Sequence, residues 1–313
     1  MPTLILRSAR SADADGILAC LEAAFASYRD EYAHAAYRDT VPDLESLRQR
    51  MSTTTLFVAE CDGTIAGTVG VGVPGTMIAH LRGMAVVPAY QHGGIGRRLL
   101  RRALDEATVA GAHHVTLDTT SPLGGAVRFY EAAGFSRTGK AGELFGMPLF
   151  EFAATLDCGF TFREAAADDA DAIRDVVNAA YVVEKDFVAR ERLDDEELRG
   201  CFDRGTFLVA TDRSGRVAGC VFLRPEDGRR TYLGLLAVNP ELQGRRLGAL
   251  MMAFAERRCR LRGDAAIDIR VVNLRTELPP FYRARGFVAT GTAPFEDPLL
   301  LRPAHFEVMT LTL

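Results

Sequence analysis

Apolar residues in this chain recur at helical and strand spacings in an order that is run through twice. Ile17, Leu18, Leu21 and Phe25 fall on one helical face and predict a helix over residues 13–25, with a shorter one over 44–51. Apolar runs at 56–60, 65–71 and 78–87 read as strands. The first two are joined by the hairpin-type turn Cys61, Asp62, Gly63, Thr64. An amphipathic helix follows over 96–110, with Leu99, Leu100, Ala103, Leu104 and Ala107 inward. Then come a strand at 114–119, a helix at 125–133, and strands at 135–137 and 149–156. The second half predicts a helix at 169–181, strands at 206–211, 217–223 and 232–238, a helix at 248–262, a strand at 266–272 and a helix at 278–284. Each half thus reads as α/β, a mixed sheet flanked by helices.

The residues themselves repeat. AVVPAYQHGGIGRRLL at 85–100 is matched by AVNPELQGRRLGALMM at 237–252. At the same offset Phe129 and Tyr130 fall on Phe281 and Tyr282, and Gly134 and Phe135 on Gly286 and Phe287. A single offset held over that length means a duplicated domain, and two long copies exclude a solenoid of short repeats. The openings correspond at a slightly larger offset: Leu6, Arg7, Ser8 and Ala9 with Phe162, Arg163, Glu164 and Ala165. Domains 1–157 and 158–313 are expected.

Composition narrows the class. With 313 residues, 48% of them hydrophobic and 25% charged, the chain can fill two cores. A net charge of −4 suggests no polyanion-binding face, so no nucleic acid is expected as a partner. No apolar run approaches a membrane span of ~18 residues, and the opening lacks a secretory signal's apolar centre. The six cysteines are scattered, with no CxxC pair. Free thiols in a reducing cytoplasm, and no metal, are therefore expected.

A strand feeding a glycine-containing turn and then a helix presents backbone N–H groups and the positive end of the helix dipole, which suits a pyrophosphate. The turn HGGIGRR lacks the Gly-Lys-Ser/Thr ending of a P-loop. It also comes too late in the domain for a dinucleotide fingerprint. GMAVVPAYQHGGIGRRLL followed by AVRFYEAAGF resembles the GNAT family of N-acetyltransferases, and LLAVNPELQGRRLGALMM with PPFYRARGF resembles it again. The shared signature is an apolar strand, a proline, a Gln/Arg-x-x-Gly-x-Gly/Ala turn opening a helix, and later a tyrosine four residues before Gly-Phe. The two resemblances cover nearly the whole chain.

The resemblance implies acetyl-CoA, or a related acyl-CoA, bound between two splayed central strands. In the first half it implies that Met84, Ala85 and Val86 pair with the pantetheine arm. His92, Gly93, Gly94, Ile95, Gly96 and Arg97 would then hold the pyrophosphate. In the second half the counterparts are Leu236, Ala237 and Val238, then Gly244, Arg245, Arg246, Leu247, Gly248 and Ala249. Arg246 stands where Gly94 supplies the motif's first glycine, which is expected to weaken the second site. Asn273 matches an asparagine with which the family often touches the cofactor; its first-half counterpart is Ser121.

Acetyl transfer to an amine needs a deprotonated amine, a donor for the oxyanion and a proton for the departing thiolate. A backbone N–H at the splay can serve the oxyanion. By family position Tyr130 and Tyr282 supply the proton. His80 stands where relatives often carry a glutamate base, with Tyr232 as its counterpart, and Asp118 is the other candidate base. The expectation is an N-acetyltransferase whose first half turns over, acting on a small-molecule or peptide amine, as a monomer or homodimer. The alternative is a CoA-binding regulatory or scaffold protein with degenerate sites. Residues 25–41 and 181–193, where acceptor specificity would lie, carry Tyr28, Tyr32 and Tyr37 but no decodable signal.

Overall fold

The computed structural model describes residues 4–73, 75 and 77–313. The chain divides into two compact units between Asp157 and Cys158.

The first unit runs β1 (Leu4–Ser8), α1 (Ala14–Phe25), α2 (His34–Thr40), α3 (Leu44–Thr53), β2 (Thr55–Cys61), β3 (Thr64–Gly72), β4 (Ile78–Val86), α4 (Ile95–Val109), β5 (His114–Thr120), α5 (Gly124–Ala132), β6 (Ser136–Leu144) and β7 (Met147–Thr155). The second runs β8 (Phe160–Glu164), α6 (Ala170–Ala180), α7 (Asp195–Arg204), β9 (Thr206–Asp212), β10 (Val217–Glu226), β11 (Arg230–Val238), α8 (Leu247–Arg262), β12 (Ala266–Val272), α9 (Leu278–Arg283), β13 (Val288–Pro294) and β14 (His305–Thr312).

Sheet order in the first unit is β1-β2-β3-β4-β5-β7-β6, and in the second β8-β9-β10-β11-β12-β14-β13. The orders are the same. Only the central pair in each, β4 with β5 and β11 with β12, is parallel. The turn between β2 and β3 has Asp62 and Gly63 both at positive φ, as a tight two-residue hairpin requires. α4 lies on one face of the first sheet, burying Leu99, Leu100, Ala103 and Ala107, and α1 covers the other with Ile17, Leu21 and Phe25. α8 and α6 do the same in the second unit, around Met251, Ala255 and Ile173, Val177.

Several expectations are corrected in detail. α4 and α8 begin one residue earlier than periodicity indicated, at Ile95 and Leu247, because both side chains are buried in the core. β6 extends to Leu144 rather than ending at 137. α2 and the strands β1, β8, β13 and β14 were not singled out at all.

The second repeat offset, that of the two openings, has a structural meaning. Arg7 Nη1 donates to Asp13 Oδ2 at 2.6 Å, and Arg163 Nη1 donates to Asp169 Oδ2 at 2.6 Å. Each carboxylate also accepts a backbone N–H ahead of the first helix, from Arg10 and from Ala166. Arg7 further binds Glu60 on β2 at 2.7 Å, and its side chain is only 9% exposed. Burial alone would raise the Asp13 pKa; the Arg7 guanidinium and the Arg10 N–H outweigh it and hold the carboxyl below its ordinary value. A lowered folded-state pKa gives stability that is present above the unfolded value of ~3.9 and lost as pH falls through the folded one. Arg7→Met leaves two carboxylates without their cation. It is expected to cost about 3 kcal/mol in urea unfolding at pH 7 and to move the acid limb to higher pH. An unchanged denaturation midpoint would show that the clamp contributes nothing.

Candidate active site

The central strands separate because one of them is bulged. Pairing between β4 and β5 runs from Ile78↔His114 to Leu81↔Leu117 and stops, although both strands continue. Beyond that point Gly83 and Met84 together oppose the single residue Val69 of β3, since Gly70 pairs with Arg82 and Thr68 with Ala85. Gly83 takes φ +60, the left-handed conformation that a bulge of this kind demands. The second unit does the same. Pairing of β11 with β12 stops at Leu233↔Ile269, and Leu235 and Leu236 oppose Val221. Here the left-handed residue is Leu235, at φ +49.

Below each splay lies the turn into the long helix. Gln91 Nε2 donates to the Val86 carbonyl at 3.0 Å, and Gln243 Nε2 to the Val238 carbonyl at 3.3 Å. The repeated glutamine therefore ties the turn to the end of the strand. In the first turn His92 (φ +65) and Gly94 (φ +79) are left-handed; in the second the left-handed residues are Gly244 (φ +76) and Arg246 (φ +67). Arg246 thus adopts the left-handed conformation of Gly94. His92, Gly93, Gly94 and Arg97 are exposed, as are Gly244, Arg245 and Arg246; Ile95 and Leu247 turn inward. Gly96 lies against Met84 and Phe129, and Gly248 near Val238. Ala249, the next residue of α8, is half-buried.

A cleft of about 380 Å³ in the first unit collects His80, Arg82, Gly83, Met84, Ala85, Val86, Asp118, Thr119 and Tyr130. The hydroxyl of Thr119 is buried there without a protein partner, an orphan that a bound molecule can satisfy. Tyr130 packs edge-on against Phe129 and Phe135, and burial pushes its phenol well above the ordinary value. The proton therefore stays on the oxygen at any physiological pH, leaving a hydrogen-bond donor.

His80 and Asp118, rivals in the sequence, are neighbours in space. The parallel register sets His80 beside Thr116. Thr116 Oγ1 lies 3.3 Å from the Ala79 carbonyl, to which it donates, and 3.0 Å from His80 Nδ1. The Thr116 hydroxyl thus anchors the Nδ1 edge of the imidazole and leaves Nε2 turned toward Asp118. Nε2 stands 3.8 Å from Asp118 Oδ2. Burial raises the Asp118 pKa, Glu151 adds to the rise and His80 opposes it. If His80 is the base, turnover rises with pH through an ionisation that His80→Ala abolishes. A pH profile unchanged in that variant would move the role elsewhere.

The second unit lacks this chemistry. Tyr232 replaces His80, Gly234 replaces Arg82 and Arg270 replaces Asp118. The Tyr232 ring sits between the guanidinium groups of Arg224 and Arg270, at 4.9 and 5.6 Å. Its hydroxyl would be 2.7 Å from a Cβ at Gly234, so the ring lies along its own strand toward the bulge. Tyr282 is buried against Phe281 and Phe287, with its phenol pushed up by burial to about 12. Leu236, Ala237 and Val238 occupy the same strand positions as Met84, Ala85 and Val86. Asn273 uses its Oδ1 to accept the His305 N–H at 2.9 Å, which ties it to β14 and leaves its amide NH₂ to donate.

Sequence reasoning missed Thr116 and Arg82; strand alternation from His80 would have found Arg82. Among the described residues there is no metal-ligating group of three or more side chains and no helix long and apolar enough to cross a membrane. All six cysteines are unbridged.

Comparison with known proteins gives the family. The model of the acetyltransferase (GNAT) family matches residues 18–135, and that of an acetyltransferase (GNAT) domain matches 175–302. A mycothiol acetyltransferase of Sanguibacter keddieii is 30% identical over 292 residues, covering 84% of this chain and 86% of that protein. Another, of Clavibacter sepedonicus, is 29% identical over 65% of this chain and 68% of its own. The crystal structure of PaiA N-acetyltransferase from Thermoplasma acidophilum in complex with coenzyme A aligns with 49% of this chain and 98% of its own, at 18% identity and a TM-score of 0.41. With a matching family model on each unit and a relative aligned across most of its length, the chain belongs to the GNAT acetyltransferase family and carries two such domains in tandem.

Proposed function

We propose that this protein is an acetyl-CoA-dependent N-acetyltransferase whose first unit performs direct transfer to a primary amine. The observation that carries the reading is the convergence of His80, Asp118 and Tyr130 on one cleft at the splay of β4 and β5. The cleft fits the cofactor: strand edges freed from pairing, an exposed turn with N–H groups at the start of α4, and the orphan hydroxyl of Thr119. Bound acetyl-CoA would supply the thioester carbonyl. His80 Nε2 accepts the amine proton, and Asp118 stabilises the resulting imidazolium. With acetyl-CoA bound, the phenol of Tyr130 would be the donor for the departing sulfur, and backbone N–H groups of the bulge would be the donors for the carbonyl oxygen. No metal is required by this scheme, and the expected location is the cytoplasm.

A second reading, a cofactor-binding unit without turnover, is favoured only for the second domain, where Tyr232 and Arg270 stand in place of His80 and Asp118. An acceptor screen with acetyl-CoA, monitoring free thiol, tests the proposal. It should include mycothiol-related amines, given the names of the relatives. Binding of acetyl-CoA with no thiol release for any amine would leave the regulatory reading in its place.

A further inference from the structure

Two arginines, Arg50 and Arg82, and two aspartates, Asp39 and Asp118, line the first cleft. Asp39 on α2 serves two arginines at once. Arg50 Nη2 donates to its Oδ1 at 2.9 Å and also to its backbone carbonyl at 2.7 Å. Arg82 reaches its Oδ2 only at 3.9 Å and keeps 44% of its side chain exposed. Burial, and next the charge of Arg82, pull the Arg50 pKa down, which is the mark of two cations sharing one anion. Arg82 lies two residues along β4 from His80, so the two side chains leave the same face of the strand about 6.6 Å apart. Asp118 on β5 lies two residues past Thr116, as Arg82 on β4 lies two past His80, and its Oδ2 is 3.8 Å from His80 Nε2; Glu151, opposite Asp118 on β7, is paired with Lys140. Arg82 and Asp118 thus stand on separate strands beyond the base, the arginine next to Asp39 and the carboxylate next to the imidazole. Phe25 and Tyr28 line it from α1 and the segment after it. The second unit has Gly234 in place of Arg82 and carries none of this.

We infer that the acceptor of the first unit is a primary amine bearing a carboxylate a few bonds away, as in an α-amino acid with an apolar side chain. Its carboxylate pairs with Arg82 and its amine faces His80. A guanidinium fork matches a carboxylate bidentately and contributes as a charge-assisted pair. A polyamine would meet Arg82 and Arg50 with like charge. The inference rests on the catalytic reading above, and its test has an arm that does not.

Phenylalanine, phenylalaninamide and spermidine are compared as acceptors with the full chain, by thiol release from acetyl-CoA and by calorimetric titration into the CoA-saturated protein. Phenylalanine is expected to exceed its amide about tenfold to a hundredfold in kcat/KM. The amide's amine loses its proton more readily, so amine basicity would push the other way. Arg82→Gln should remove the preference by weakening phenylalanine alone, with an unchanged melting temperature, and Arg82→Lys should restore part of it. Equal use of acid and amide, preference for spermidine, or an equal loss for both acceptors in Arg82→Gln would overturn the inference. If no amine is acetylated, the catalytic reading fails and titration still decides. Phenylalanine binding that weakens in Arg82→Gln supports the acceptor class, and binding indifferent to the carboxylate rejects it.

Discussion

Tyr130→Phe is expected to lower turnover by about 10²–10⁴, the usual loss for a general acid, while Tyr282→Phe leaves it nearly unchanged. Each substitution removes one oxygen from a ring held by two aromatic neighbours, Phe129 and Phe135 in one unit and Phe281 and Phe287 in the other. Packing is preserved, so melting temperatures should stay close to the parent. The two tyrosines are alike in burial, each 7% exposed. What separates them is company. Tyr130 shares its cleft with an imidazole anchored by Thr116; the place of that imidazole in the second unit holds the Tyr232 ring between two arginines. Steady-state thiol release with one good acceptor measures the difference. The reverse pattern would put catalysis in the second domain, and partial losses specific to different acceptors would reveal two working sites.

Gly96→Glu is expected to weaken acetyl-CoA binding by about a hundredfold or more, because it sets a carboxylate among the N–H groups meant for a pyrophosphate. The fold should survive. The nearest atoms to a Cβ at Gly96 are Met84 Cε at 3.5 Å and the Phe129 ring at 3.6 Å, ordinary contact distances, and an acidic residue in the first turn suits the helix dipole. Gly96→Ala is the control for bulk and should bind nearly as the parent does. Titration calorimetry of both variants separates charge from size; a Glu variant that binds acetyl-CoA normally would show that the first-unit site is misassigned.

The parts of this molecule with strong chemistry of their own were legible in the sequence. The hairpin turn at Asp62 and Gly63, the stripe of α4 and the duplicated strand-turn-helix all follow from local rules. β6 was legible only at its start and β13 not at all, because nearly every residue of both is exposed and no alternation marks a solvent-washed edge strand. α2 is a seven-residue helix with one buried position, too short for a period to show. The relation of His80 to Asp118 was hidden for another reason. It depends on the register between two parallel strands, and sequence spacing carries no information about which residues of separate strands lie abreast.

The paired turns also carry a backbone cost, each at a different position. At two positions, two residues apart, both copies adopt left-handed backbone, and each copy keeps glycine at only one of them: Gly94 in the first, Gly244 in the second. The other position carries His92 or Arg246, at roughly 1 kcal/mol over glycine. Laid over one another, the two halves spell a turn with glycine at both places. His92→Gly in the first turn and Arg246→Gly in the second would each remove that cost while leaving the path of the backbone as it is.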